Sequence, residues 1–373
     1  MNEREPRVLS GAITAYRLFD IAYAIDLPKA EAAWAERTRL SSTRARLLAT
    51  PTKAMSFGVP PVEVSLDPVQ LPLKSGLMPA LLNARLYEFG VVTLAVHLSV
   101  EDLAWSEFSA LMNAVDTCIG DGAETDIWSA GLSQVRTIFA GALIRPIDWT
   151  VEEDYLIGAV HAFDEALSAD DVLARADLGL LLSGEQRPLS PSARQDLLRR
   201  RFSYYTDDLA VIAWDRAFIY EPRRDSDVVD VLEVANAQLL EMRYYDELLD
   251  AELPRMYDLV ESTQRATSLI VAQRFAKLAR KLTMLVAEVT ELTEKVDNAL
   301  QVTEDVYLAR VYASALELFR VPAVGAAVDR KLAIIRDTYT ALYQEASAAR
   351  ATLLEAVIVL LIALEIVMAL FRH

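Results

Sequence analysis

Polar residues on one predicted helix have a spacing that could build a binding or catalytic site. Asn236 and Arg243 are seven residues apart within residues 227–252, so both lie on the helix face that also carries Leu239. A charge among leucines must be paired if it is buried. The polar residues that could join one network with them are Asp215, Glu233, Glu241 and Asp246. Two interpretations stay open: a polar site against the preceding strand, and a structural ion-pair network, which we favour.

Other chemistry-bearing motifs are missing from the sequence. The three histidines, His97, His161 and His373, form no HxH, HExxH or Glu-x-x-His pattern. The phosphate-binding patterns GxGxxG and GxxxxGK[ST] and the nucleophile motif GxSxG do not occur either. We therefore expect no catalytic residues, no metal and no cofactor, and we expect that the protein is not an enzyme.

The composition restricts the partners of the chain. Its formal net charge of −17 disfavours direct nucleic-acid binding by the whole surface and attachment to anionic lipids by charge. Two basic stretches, residues 36–61 and 199–201, could contact phosphate or RNA, or could simply be solvated helix ends. The single cysteine, Cys118, excludes an intrachain disulfide and fits a reducing compartment.

The first half of the chain has the pattern of strand-then-helix units. Residues 19–25 and 86–98 are predicted strands, followed by helices that open at Pro28 and at residues 99–102. AIDLPKAEAAW (residues 24–34) and AVHLSVEDLAW (residues 95–105) also match, which indicates a β-α duplication or a chance similarity. A third unit would begin at Tyr155 and enter a helix opened by Ser168. We expect an α+β fold with an N-terminal α/β sandwich, of which duplicated ferredoxin-like units are one form.

The second half is predicted to be helical. After strands at residues 209–214 and 217–221, a long helix begins near residue 227, and Pro254 should interrupt it. Apolar residues then repeat at alternating spacings of four and three, as in a coiled coil. The positions of this first seam are Val271, Phe275, Leu278, Leu282, Leu285, Val289, Leu292 and Val296. A break at residues 321–325 and a second seam from Val328 to Leu353 predict an antiparallel coiled-coil hairpin.

The second arm of this hairpin leads into an apolar tail, residues 353–371. As a helix the tail would be about 28 Å long, enough for the hydrocarbon core of a bilayer. Glu355 and Glu365 interrupt it, so the acids would be protonated or paired between subunits, or the tail would be a core helix instead. We expect a transmembrane anchor framed by Arg350 and Arg372, in a homo-oligomer. The N-terminus has no secretory signal, which places the head in the cytoplasm.

Several of these segments resemble a known family. The run from Asp208 to Asp250, which contains VANAQLLEMRYYDELLD, is similar to the family named "required for meiotic nuclear division", also described as YagE-like. LYEFGVV at residues 86–92 and the ending with Arg350, Glu355 and Glu365 agree with it. The resemblance implies a prokaryotic member without established enzymatic activity. It also implies relatives that form homo-oligomers in the mitochondrial inner membrane and support translation there.

These observations together predict three regions and one function. The regions are an α+β head at residues 1–224, a long helix with a coiled-coil hairpin at 225–350, and a transmembrane anchor at 351–373. The predicted function is a tail-anchored, homo-oligomeric scaffold at the inner membrane, whose cytoplasmic head recruits a protein or ribonucleoprotein. The alternative is an enzyme or small-ligand receptor with a polar site around Asp215, Asn236, Arg243 and Asp246.

Overall fold

The fold is described from a computed structural model of the chain. It describes residues 5–38, 43–44, 55–57, 60–74, 76–120, 122–147, 151–185, 187–224, 227–264, 300–302 and 306–371, with six positions between 280 and 290. The chain divides into two compact units. The first comprises Met1–Tyr244 and Lys295–Pro322, and the second comprises Tyr245–Glu294 and Ala323–His373.

The first unit holds the strands and most of the helices. Its strands are β1 (Arg7–Asp20), β2 (Ala22–Ile25), β3 (Thr43–Arg44), β4 (Met55–Phe57), β5 (Val62–Ser65), β6 (Val69–Leu73), β7 (Gly76–Leu86), β8 (Val91–Ala104), β9 (Leu143–Pro146), β10 (Glu152–Phe163), β11 (Arg201–Phe202), β12 (Leu209–Ile212), β13 (Arg216–Tyr220) and β14 (Leu300–Val302). Its helices are α1 (Leu27–Thr38), α2 (Trp105–Ile119), α3 (Ile127–Ile138), α4 (Ala169–Arg175), α5 (Leu178–Ser183), α6 (Pro191–Leu197), the first part of α7 (Val228–Gln264), and α8 (Val306–Leu318).

One large sheet organises this unit. Its strand order is β11-β12-β13-β10-β1-β8-β7-β5-β3, and β6 also pairs with β7. The pairs are antiparallel except β10 with β13. The central strand β1 pairs with β8 and β10 over most of its length, and its two faces bury different sets of side chains. Ile13, Ala15 and Phe19 join the core that includes α2 and α3, whereas Tyr16 and Leu18 are buried on the other face.

The start of α7, the long helix that the sequence predicted near residue 227, covers that second face. Val228, Val231, Leu232 and Ala235 are almost fully buried, together with Leu239 one turn further on. Helix α8 buries Leu308, Val311 and Ala315. The Tyr312 hydroxyl of α8 donates to Gln238 of α7 at 2.6 Å. The strands β12 and β13 and the cap of α4 by Ser168 also agree with the sequence analysis.

The predicted strand at residues 86–98 is confirmed only in part, because residues 91–98 belong to β8 whereas residues 87–90 form a turn between two long strands. Strand β7 ends at Leu86, the chain turns through Gly90, and β8 runs to Ala104. Helix α2 therefore begins at Trp105 and not at residues 99–102. The matching segments 24–34 and 95–105 consequently have different structures, one mostly helix and the other mostly strand. The fold is mixed α+β, but a ten-stranded sheet in this order is not a duplicated ferredoxin-like unit.

The second unit contains the rest of α7 and the long helix α9 (Val321–Phe371). The Lys331 ammonium group lies 2.7 Å from both Asp246 and Asp250, and so joins the two helices. Pro254 lies within α7 and does not end it. The predicted helix break at 321–325 lies slightly earlier in the structure: α8 ends at Leu318 and α9 begins at Val321, with Pro322 in the first turn where proline is tolerated.

The coiled coil is not shown by the structure. Most of its first seam, Val271 to Val296, lies outside the described residues. In the second seam Val328 and Ile335 are buried, and the side chains from Tyr339 onward are mostly outside the described set. The seam pattern therefore stays a prediction.

The expectation of a transmembrane-length tail is not met. No single helix in the described part of the chain is long and apolar enough to cross a membrane. A bent pair, Val306–Leu318 with Val321–Thr338, could do so by length and composition. Val357–Met368 is a shorter apolar stretch, below the roughly 20 residues that a helical span needs.

Gly90 should be required at the turn between β7 and β8. Its φ is +102°, and an added Cβ would lie 1.8 Å from the carbonyl oxygen of Ala22. We expect Gly90→Ala to lower the free energy of unfolding by about 3 kcal/mol, because strain and a clash add up. Gly76→Ala is the matched control, since φ is +126° there but no atom lies within 4 Å. Equal losses for the two variants in urea unfolding would contradict the role of the close contact.

Candidate functional site

The structure does not bring the six predicted polar residues into one site. Asp215 lies in the turn between β12 and β13, and its carboxylate contacts the neighbouring Arg216 at 3.3 Å. The buried Arg216 guanidinium also donates to Asp116 and Asn113, both on α2, at 2.9 Å each. Asp215 therefore belongs to a structural cluster at the α2 side of the sheet.

The residues predicted on the long helix separate as well. Asn236 is buried, and its amide donates to the Leu232 carbonyl oxygen one turn earlier at 2.9 Å. Glu241 is also buried. Arg243 is at the surface and pairs with Glu153 of β10, so it is not a buried charge among leucines. Asp246 belongs to the second unit, where it pairs with Lys331.

The predicted anchor residues are only partly described. Glu355 and Glu365 are exposed on α9. The side chain of Arg350 and the whole of Arg372 lie outside the described residues.

Glu233 alone among the predicted residues belongs to a dense polar cluster, and Arg85 of β7 is at its centre. Nη1 of Arg85 donates to Asp230 at 2.8 Å and to Glu233 at 2.6 Å, and both acids are on the first turns of α7. Nη2 of Arg85 reaches Glu63 on β5 at 3.4 Å. The hydroxyl of the buried Tyr87 donates to the other oxygen of Glu233 at 2.7 Å. The cluster thus ties α7 to the sheet.

Burial governs the electrostatics of this cluster. It raises the pKa of Glu233, and the adjacent Arg85 opposes that effect. Burial likewise raises the pKa of Tyr87 well above its ordinary value, so this hydroxyl remains a donor. Three carboxyl groups surround one guanidinium, which leaves an excess of negative charge at this place on the sheet.

A small pocket opens beside the cluster on the same face of the sheet. Its volume is about 170 Å³, and it is lined by Thr14, Tyr16, Glu63, Asn83, Arg85, Thr93, Ala95, His97 and Glu233. The Thr93 hydroxyl is buried beside the Glu233 carboxylate, and its oxygen accepts no hydrogen bond from the described residues. The Thr14 hydroxyl lies 3.0 Å from Nδ1 of His97, and burial lowers the pKa of His97. We call this the polar pocket.

The polar pocket is suited to binding more than to catalysis. Its histidine contacts a threonine hydroxyl, but the described hydrogen bonds include no carboxylate that orients the other ring nitrogen, as a nucleophile–base pair would need. The described residues also contain no group of three or more His, Cys, Asp or Glu that could hold a metal ion. What remains is a concave surface with polar groups that converge on a small space.

A larger cavity of about 840 Å³ lies on the opposite side of the sheet, between α2, α5 and the end of β6. Trp105 and Leu180 contribute to its mostly apolar wall. Three of its charged wall residues form ion pairs: Asp116 with Arg216, Asp177 with Arg194, and Arg175 with Glu165. Because the wall is mostly apolar and these charges are engaged, this cavity is the weaker candidate.

Sequence reasoning missed Arg85, Tyr87 and Thr93. The sequence did contain a usable signal. Arg85 is the one charged residue in the strand GLMPALLNARL, whose successive side chains point to opposite faces of the sheet. A charge there must find a partner on the buried face. The partners could not be named, since Glu233 lies 148 residues away along the chain.

Two more buried carboxyl groups lie near the end of β1. Asp20 is almost fully buried, and burial raises its pKa to about 7. Glu153, across from β1 on β10, has its pKa raised to about 7 by burial, against the opposing effect of Arg243. Because both pKa values are raised, the folded chain keeps protons that the unfolded chain releases between about pH 4 and pH 7. These two carboxyl groups therefore favour folding most strongly at the low end of that pH range.

Asp20→Asn should therefore change stability in a pH-dependent way. At about pH 3.5 the Asp20 carboxyl is mostly protonated in both the folded and the unfolded chain, so the variant should match the parent protein. At pH 8 the parent buries a charge that asparagine lacks, and the variant should be more stable by about 1 to 3 kcal/mol. Urea unfolding at both pH values measures the difference. Asp196→Asn on the exposed face of α6 is the control, and the same pH dependence in both variants would refute the assignment.

Arg85→Met should destabilise the first unit by about 3 kcal/mol, because Glu233 would stay buried without its cationic partner. The double variant Arg85→Met with Glu233→Met should recover most of that loss, since paired removal of a buried ion pair is often nearly neutral. Arg243→Met removes an ion pair whose guanidinium is half-exposed, so it should lower the free energy of unfolding by less than Arg85→Met does. A double variant no more stable than Arg85→Met would show that the two side chains are not coupled.

Comparison with known proteins now places the chain. The uncharacterized protein MJ0711 of Methanocaldococcus jannaschii is 26% identical to it over 216 residues, which are 57% of this chain and 65% of that relative. The match thus spans less than two thirds of the relative's length. No solved structure matches the chain. The expected membership in the "required for meiotic nuclear division" or YagE-like family is wrong, because another family matches the sheet-rich region. That family is described as "Uncharacterized protein MJ0711, N-terminal domain", it matches residues 10–227, and the chain belongs to it.

Proposed function

We propose that the protein is a homo-oligomeric scaffold, which its apolar tail holds at the cytoplasmic membrane and whose head recruits a protein partner. The observation that carries this proposal is the exposure of Val357–Met368. Every large hydrophobic side chain in this stretch of α9 is between 45% and 67% exposed. An apolar surface of this kind marks a contact with another molecule or with lipid.

The distribution of these side chains favours lipid over a single protein partner. The sequence VIVLLIALEIVM is apolar on all sides of the helix except at Glu365. A helix that is apolar all round is buried on all sides, in a protein core or in a membrane. One docked helix would cover only a stripe, whereas hydrocarbon covers the full circumference.

Glu365 supports self-association of the tails. A carboxyl group that faces hydrocarbon costs a few kcal/mol, whereas it can share a proton or a hydrogen bond in a helix–helix interface. Tail helices of several copies that meet near Glu365 would keep this residue away from lipid. The same argument applies more weakly to Glu355, which lies nearer the start of the apolar stretch.

The head offers a surface for a protein partner. Tyr204 and Tyr205 are exposed and stack edge to face, and the Arg223 guanidinium lies 4.7 Å above the Tyr205 ring. Tyr307 packs against Tyr204 at 5.4 Å. Exposed tyrosines beside arginine are the composition of binding hot spots between proteins. The net charge of −17 favours a protein over a nucleic acid as the partner.

Membrane attachment should depend on the tail. In flotation with phospholipid vesicles, the full chain should rise with the vesicles, and a variant that ends at residue 350 should stay in the soluble fraction. Leu361→Glu should also weaken flotation, because a second central charge adds about 2.5 kcal/mol or more to insertion. The proposal fails if the truncated chain floats, or if the full chain stays behind without detergent.

Glu365→Leu is the matched substitution with the opposite expectation. It removes the charge from the apolar stretch, so flotation should persist or improve. The oligomers measured by native mass spectrometry in mild detergent should become weaker, since the polar contact between tails is lost. A parent protein that is strictly monomeric would remove the scaffold proposal, and so would an oligomer unaffected by the substitution.

A further inference from the structure

We infer that the polar pocket of the head binds a small organic cation with an ammonium or guanidinium group. This inference does not depend on the tail or on the membrane, because the pocket is built within the first unit. It rests on the size of the pocket, its charge, and a buried hydroxyl oxygen that accepts no hydrogen bond.

The size of the pocket limits the ligand. Its volume of about 170 Å³ is close to that of engineered cavities of about 150 Å³ that hold benzene. A ligand of roughly six to eight non-hydrogen atoms would fill it. Larger molecules such as nucleotides or peptides are too big to enter, although part of a longer chain could.

The charge of the pocket selects a cation. Glu63 and Glu233 line the pocket together with Arg85, and Asp230 pairs with Arg85 from outside the lining, so three carboxyl groups contact one guanidinium. An anion would need free donors from Arg85. Both terminal nitrogens of Arg85 already donate to carboxylates, at 2.6 to 3.4 Å. His97 adds little positive charge at neutral pH, because burial lowers its pKa.

The hydrogen-bonding groups of the pocket match the N–H donors of such a cation. The Thr93 side chain is 1% exposed, and its hydroxyl oxygen lies beside the Glu233 carboxylate and accepts no hydrogen bond from the described residues, which leaves a buried acceptor unfilled. An ammonium or guanidinium N–H would satisfy that oxygen. The side chains of Glu63 and Asn83 line the same space and offer further acceptor oxygens.

The pocket has an accessible mouth and a buried floor. Thr14, Asn83 and His97 are half-buried, whereas Tyr16, Thr93 and Glu233 are buried. A ligand would enter past the first three residues and place its charged end against the floor. The floor lies where Glu233 and Thr93 meet, so selectivity for charge would be set there.

Isothermal titration calorimetry with the full chain in detergent tests this inference. The probes are methylguanidinium and ethylammonium, with N-methylurea as the neutral analogue of similar size and inorganic phosphate as the anion. Both cations, or one of them, should bind saturably with a dissociation constant of about 1 mM or lower, and the urea and phosphate should not. Thr93→Val and Glu63→Gln should each weaken the binding at least fivefold, because the first removes an acceptor for a charged donor and the second removes a negative charge.

Two controls keep the result interpretable. Thr137→Val makes the same chemical change on the exposed face of α3, away from the pocket, and should leave the affinity unchanged. If Thr93→Val fails to fold, Glu63→Gln alone tests the inference, because the Glu63 side chain is partly exposed and its substitution should not prevent folding. The inference is overturned if neither cation binds, if N-methylurea binds as tightly, if phosphate binds instead, or if neither pocket variant changes the affinity.

Discussion

The burial of Glu233 against the sheet is the constraint on which the head depends. A helix that covers a sheet normally presents an apolar face, and α7 does so with Val231, Leu232 and Ala235. Its Glu233 nevertheless points at the sheet, where Arg85 and Tyr87 satisfy both carboxylate oxygens. A buried carboxylate is tolerated only with such partners, and this geometry allows one position of the helix along the strands. The ion pair thus contributes more to the register of α7 than to net stability.

The same constraint explains why a pocket exists beside the pair. Polar side chains on β1, β7 and β8 cannot pack as closely as apolar ones once α7 has been fixed by its acids. Thr14, Asn83 and His97 therefore face a space that no apolar residue fills. On the opposite face of the sheet, Gly158 allows Met112 and Phe108 of α2 to approach closely, and an added Cβ there would lie 2.7 Å from the Met112 sulfur. The α2 face is close-packed around Gly158, and the other face keeps a polar pocket.

Local patterns predicted the elements better than the site. The apolar spacing of α7, the cap at Ser168 and the strands β12 and β13 all follow from neighbouring residues, so the sequence was sufficient for them. The turn at Gly90 was missed because LYEFGVV is mostly apolar, with Glu88 as its one charged residue, and only the positive φ at Gly90 distinguishes a turn from a continuous strand. The prediction of a single polar network was wrong for another reason. Helix spacing placed Asn236 and Arg243 on one face, but the ion-pair partners of the helix come from distant strands. Arg85 and Glu233 are 148 residues apart, and no local pattern connects them.

The extent of the family match divides the polar pocket into two parts. The matched residues, 10–227, include the strands that carry Thr14, Arg85, Thr93 and His97, and they stop just before α7. Asp230 and Glu233, which supply much of the negative charge, lie beyond that limit. The sheet side of the pocket is therefore part of the family domain, whereas the acidic side comes from the following helix. A chain with the same sheet and a different helix at this place would keep the cavity but change its charge, so we place the selectivity for a cation in α7.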